Sequence, residues 1–236
     1  LNGLPLMTLE LKNHYTGQNI DNAIKQYQDD RNPKEDPTAL LLQKKRCAVH
    51  FAVDDDNIMM CTELCGKSSW FLPFNKGVNG GAGNPINPNG VRTAYLWEDI
   101  LEKHSLSDIL ENYAQVVKKK KTIKDKKTGK KKEVETESIV WPRYHQLDAV
   151  RKMLEATRKN GVGQKFLIQH SAGSGKSNSI TWLAYQLVGL LDGTQPLLDS
   201  VIIVTDRVNL DNQIRDNINA FKRLQNIVEW ADSSTT

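Results

Sequence analysis

No stretch of the 236 residues approaches the roughly 20 uninterrupted apolar positions that a bilayer-spanning helix needs. Nor does the opening "LNGLPLMTLELK" lead a basic segment into an apolar one, so no secretory leader is read there and a cytoplasmic protein is expected. Cysteine is scarce. Cys47, Cys61 and Cys65 are an odd number in a chain this long, which points to reduced thiols and away from a disulfide framework. Cys47 with His50, and Cys61 with Cys65, could imitate a four-ligand zinc set, but neither spacing is the usual one and "CAVHFAV" reads as a strand. Zinc is therefore not expected. With 39% apolar and 25% charged residues, the chain has enough for one large domain or two smaller ones.

The net charge of +4 hides an asymmetry. Residues 118 to 132, "KKKKTIKDKKTGKKK", hold ten lysines and one aspartate, so this segment carries +9 and the remainder −5. It has no apolar periodicity, and Thr128-Gly129 suits a turn. We read residues 118–138 as a lysine-rich linker or hairpin between a domain at 1–117 and a second at 139–236. Such a segment could track a nucleic-acid backbone, because lysines neutralise phosphates without reading sequence, or it could be a solvated connection.

Downstream, helix and strand signals alternate. "YHQLDAVRKMLEATRKNG" places Leu147, Val150 and Leu154 at helical spacing and stops at Asn160-Gly161. "KFLIQ", residues 165–169, and "VIIVT", residues 201–205, read as buried strands, with helices in "SNSITWLAYQLVGLL" and "NLDNQIRDNINAF". This alternation predicts a parallel sheet covered on both faces.

Between the first strand and its helix lies "HSAGSGKSNS", residues 170–179. A phosphate-binding loop needs a strand to aim it, small residues so that backbone amides can approach, a lysine, a hydroxyl for magnesium, and a helix behind. Ala172, Gly173, Ser174 and Gly175 supply the small residues, Lys176 the charge and Ser177 the hydroxyl. The glycine that usually opens such a loop is replaced by His170. In that form "AGSGKS" resembles the loop of superfamily 2 helicase and translocase motors. "WPRYHQ", residues 141–146, resembles their adenine-recognising segment, in which Gln146 would pair its amide with the base edge and select ATP. "VTDRVNLDNQ", residues 204–213, resembles a motif that contacts nucleic acid, making Thr205 and Arg207 DNA-contacting candidates.

The N-terminal part suggests a second chemistry. In "LPLMTLELK" the residues alternate, so Leu6, Thr8, Glu10 and Lys12 share one face, with Glu10 and Lys12 roughly 6.5 to 7 Å apart. A carboxylate and an ammonium so placed could bind magnesium and activate water against a phosphodiester, or be an ordinary charge pair on a half-exposed strand. Asn2-Gly3 is a hairpin signal, so a further strand is expected before Leu1. The pattern resembles PD-(D/E)xK nucleases, in which an aspartate on that strand completes the metal site. A helix follows in "GQNIDNAIKQYQDDRNP", then short strands in "CAVHFAV", "NIMMCTEL" and "SSWFLPFN", a loop at residues 75–90, and a helix in "HSLSDILENYAQVV" with Ser105 and Asp108 at capping-box spacing.

Taken together, "NGLPLxxxELK", "TELCGKSSWFLPFNKG", "RTAYLWEDIL", "WPRYHQLDAV" and "HSAGSGKS" resemble the restriction (R) subunit of type I restriction endonucleases over nearly the whole chain. The resemblance implies a mixed-sheet PD-(D/E)xK nuclease core followed by the first RecA-like parallel-sheet lobe of a superfamily 2 motor. It implies ATP-driven translocation of double-stranded DNA, Mg2+-dependent cleavage away from the recognition site, and partnership with methyltransferase and specificity subunits, with no membrane. Glu10 and Lys12 would be catalytic, Glu10 and Ser177 would hold Mg2+, and Gln146 with residues 172–177 would bind ATP. Many of these nucleases carry Gln-x-x-x-Tyr on the helix after the "ExK" strand, whereas here Gln26 and Tyr27 are adjacent. Gln26, Tyr27 and Arg31 are thus alternative assisting residues. The catalytic aspartate is expected before Leu1 and the acidic ATPase motif beyond Thr236, so the chain is expected to be a fragment, inactive alone. Two other classes stay open: a superfamily 2 helicase or translocase with a non-catalytic nuclease-like docking domain, and a non-enzymatic module that uses the loop for switching.

Overall fold

The computed structural model describes residues 3–124, 131–206, 208–220 and 228–230, with backbone alone for 119–124, 131–133 and 220. The chain divides into two compact units, Leu1–His145 and Gln146–Thr236.

The first unit is built on a mixed sheet of four strands in the order β1 (Met7–Leu11), β2 (Val49–Val53), β3 (Ile58–Cys61) and β4 (Leu72–Pro73). β1 runs parallel to β2, pairing Glu10 with Ala52, and the other two pairings are antiparallel. Parallel neighbours need a crossover, and the helix α1 (Ile20–Asp29) lies in it. β2, "VHFAV", is buried at all five positions, as a continuous apolar run in a central strand should be. α1 starts where Asn19 accepts from the amides of Asp21 and Asn22 while Asn22 reaches back to the Asn19 amide. Its Ala23 and Tyr27 then pack into a core with Ala52, Cys61 and Leu64.

β1 is covered on an unexpected side. Leu9 and Leu11 are 40% and 62% exposed, while the side chains of Glu10 and Lys12 are only 12% and 11% exposed. The polar face of this strand is the one turned under neighbouring elements.

Residues 75–90 form no helix or strand. The helix α2 (Lys103–Asn112) is capped differently from the expectation at Ser105 and Asp108. Glu102 is the N-cap, accepting from the His104 and Ser105 amides, because the helix begins three residues earlier than a Ser105 cap would give and Ser105 falls inside its first turn. The lysine-rich region is an antiparallel ribbon, β5 (Gln115–Lys124) with β6 (Lys131–Val140), in register from Gln115↔Val140 to Lys124↔Lys131. Lys118 pairs with Glu135 and Glu137, and Lys45 also reaches Glu137. The turn expected at Thr128-Gly129 lies outside the described residues, as do Leu1 and Asn2 of the expected hairpin.

In the second unit, α3 (Tyr144–Asn160) buries Gln146, Leu147, Val150, Met153 and Leu154 and stops before Gly161, whose φ of +71° suits a helix-terminating glycine. α4 (Lys176–Val188) packs against α5 (Val208–Ala220), where Asn217 donates to Asn178 Oδ1 at 2.9 Å. The expected parallel sheet is corrected here. Residues 165–169 and 201–205 join no ladder among the described residues, and Leu167, Ile202 and Val204 are 95%, 83% and 86% exposed. A buried parallel strand draws its hydrogen bonds and its cover from neighbours, and an apolar run without them forms no strand.

Candidate functional site

The alternation of β1 sets Thr8, Glu10 and Lys12 on one side, and α1 with the turn after it closes over them. Lys12 Nζ donates to Glu10 Oε1 at 3.2 Å and to Gln26 Oε1 at 2.5 Å. Arg31 Nε donates to the other oxygen, Glu10 Oε2, at 2.9 Å. One carboxylate therefore sits between two cations, which is how a mostly covered charge is compensated. Gln26 and Tyr27 are adjacent in sequence, but a helix turns about 100° per residue, so they serve different neighbours. Gln26 meets Lys12, whereas the Tyr27 hydroxyl lies 2.8 Å from Thr8 Oγ1 and 3.4 Å from the Phe51 carbonyl.

A second layer lies beneath. Thr8 Oγ1 is also 2.7 Å from His50 Nδ1. Burial pushes the Tyr27 phenol up to about 12 and His50 down to about 4, so both are neutral at pH 7. Thr8 and His50 had not been read as functional. Their signals were a hydroxyl two residues before Glu10 on the same face, and one polar residue inside "CAVHFAV". A cleft of ≈ 330 Å3 opens beside Thr8, Glu10, Tyr27 and Arg31 and is also lined by Leu40 and Leu42.

Among the described residues no three His, Cys, Asp or Glu side chains converge on a metal position. Glu10 offers one hard carboxylate oxygen donor. Magnesium commonly takes only one or two protein carboxylates and fills its shell with water and phosphate oxygens, so that donor fits it.

The loop before α4 is shaped by two left-handed glycines, Gly173 at φ +73° and Gly175 at φ +81°, the second being the N-cap of the helix. Gln146 is buried and donates through Nε2 to the carbonyls of Ser174 at 3.2 Å and Gly175 at 2.9 Å. It therefore ties α3 to the loop backbone. Lys176 curls back, its Nζ donating to the carbonyls of His170 at 3.0 Å and Ser171 at 2.8 Å. Ala172 is exposed, Ser177 half-buried, and Thr205 half-buried in the unpaired segment 201–205, while Arg207 lies outside the described residues. The structure thus gathers Glu10, Lys12, Gln26 and Arg31 into one cluster, with Tyr27 behind it. Gln146, Ser174, Gly175 and Lys176 come together in another.

Residues 1–68, which contain every member of the first cluster, match the family described as type I restriction enzyme R protein N terminus. Residues 145–235, which contain Gln146 and the loop, match the family described as SWI2/SNF2 ATPase. No curated protein and no solved structure matches the chain. No helix among the described residues is long and apolar enough to cross a membrane. The restriction-enzyme N terminus and the ATPase segment stand in this order on one chain, and together the two matches support a type I restriction enzyme R subunit with a helicase-like motor.

Proposed function

We propose that the chain is the part of the R subunit that couples ATP-driven movement of double-stranded DNA to Mg2+-dependent cleavage of unmodified DNA away from the recognition site, in a complex with methyltransferase and specificity subunits. The observation that carries the cleavage half is the Glu10–Lys12 pair on one face of β1, mostly covered, with Lys12 fixed a second time by Gln26. Residues 1–117 would form the nuclease domain, 118–138 a lysine-rich arm suited to phosphates, and 139–236 the first motor lobe.

Glu10 would hold the magnesium ion, whose chemistry is to polarise the scissile phosphate and acidify a bound water. Lys12, held by Glu10 and Gln26, presents its ammonium beside that position, where it can orient the water and offset charge building on the phosphate oxygens. Lys176 would leave the His170 and Ser171 carbonyls for the phosphates of ATP, while the backbone of Ala172 to Gly175 cradles them and the Ser177 hydroxyl faces Mg2+. Gln146 would read the adenine edge through whichever amide group the loop leaves to it, and Thr205 and Arg207 would touch the DNA strand.

The test uses the full-length protein with its methyltransferase partner on unmodified plasmid. Cutting is expected only with ATP and Mg2+. Glu10→Ala and Lys12→Ala should abolish cutting and spare ATPase, and Lys176→Ala should abolish both. Linearisation by Glu10→Ala at the normal rate would remove the nuclease assignment. ATPase activity without any cutting in the parent protein would favour a motor with a docking domain.

A further inference from the structure

Glu10 is held by two cations that differ in how firmly they are held. Lys12 is 11% exposed and tied to two partners, Glu10 and Gln26. Arg31 is 44% exposed, lies on the turn after α1 and reaches Glu10 through Nε. It also lines the cleft beside Glu10. Of the two, Arg31 is the one that can withdraw without unpacking the cluster.

We propose that Arg31 is an exchangeable counter-ion that sets the affinity of Glu10 for a divalent cation. This rests on the reading of Glu10 as the metal-binding carboxylate. A carboxylate only 12% exposed needs charge compensation in the cation-free protein, and Arg31 supplies it on Oε2 while Lys12 supplies it on Oε1. A guanidinium and a divalent cation on one oxygen repel, so Arg31 must release Oε2 for the cation to use it. Arg31 is therefore a positioning residue whose removal should tighten metal binding. A residue that merely held the fold together would do the opposite.

The experiment titrates full-length protein with Mn2+ alone, without nucleotide, and follows free Mn2+ by electron paramagnetic resonance. The relevant site is the one that Glu10→Ala removes. Arg31→Ala and Arg31→Gln should each lower the Mn2+ Kd at that site about two- to fivefold, the range expected for losing a partly exposed ion pair, and Arg31→Lys should stay near the parent. Melting curves identify the variants that fold, and a misfolded Arg31→Ala leaves the decision to Arg31→Gln. Unchanged or weaker Mn2+ binding in folded Arg31 variants overturns the exchange. Absence of any Glu10-dependent site in the parent protein instead overturns the metal reading of Glu10 itself.

Discussion

Gln26 Oε1 accepts a 2.5 Å hydrogen bond from Lys12 Nζ, across a sequence separation of 14 residues, and so joins α1 to the polar face of β1. Because the same ammonium also meets Glu10, its position is fixed from two directions. Gln26→Leu should leave the Glu10 contact and free the ammonium to move. Cleavage by the full complex is expected to fall about ten- to hundredfold, the usual cost of misplacing a reacting group by an ångström or so, with ATPase unchanged. Gln26→Glu keeps an acceptor and should recover most of the rate. Equal rates for Gln26→Leu and the parent would show that Glu10 alone positions Lys12.

Gly175 has φ +81°, and a Cβ at this position would lie 2.4 Å from Gln146 Nε2. Gly175→Ala should therefore both strain the loop, at about 1 kcal/mol or more, and displace Gln146 from the Ser174 and Gly175 carbonyls. Binding of a fluorescent ATP analogue should weaken strongly. Gly193→Ala is the control, since it shares a positive φ and meets nothing within 4 Å. Similar losses for both would mean that the Gln146 contact is unimportant.

His50 is buried and its pKa is lowered to about 4, against about 6.5 in an unfolded chain. Between these values the unfolded state binds a proton that the folded state refuses, so stability rises with pH across the window. The stabilisation is fully present above pH 6.5 and drains away toward pH 4, by up to about 3 kcal/mol. Urea denaturation at pH 7 and pH 4.5 should show this loss in the parent protein. His50→Asn, which cannot titrate, should flatten the slope even though it lowers stability at pH 7. An identical slope in the variant would place the pH sensitivity elsewhere.

The helices were largely legible in the sequence because their signals are local. The spacing of Leu147, Val150 and Leu154 and the stop at Gly161 suffice to place α3, and the apolar run of β2 suffices for a buried strand. The start of α2 was less legible, since Glu102 capped the helix in place of the more usual serine. Residues 165–169 were misread because a run of three apolar residues, Phe166 to Ile168, reports only a capacity to be buried, while pairing depends on what lies beside it.

The candidate sites divide in the same way. Sequence by itself determined the residue types at each: a carboxylate and an ammonium two apart on a strand, and small residues before Lys176 and Ser177. Those choices follow from period-2 and helix-start geometry, which a short segment carries within itself. Tertiary structure alone decided that the polar face of β1 is the covered one, that Gln26 serves Lys12 while Tyr27 turns to Thr8, and that Arg31 takes the second oxygen of Glu10. Each of these depends on where α1 and its following turn come to rest on the sheet. That placement comes from burying Ala23 and Tyr27 against Ala52, Cys61 and Leu64, residues up to 41 positions away, and no local pattern encodes it.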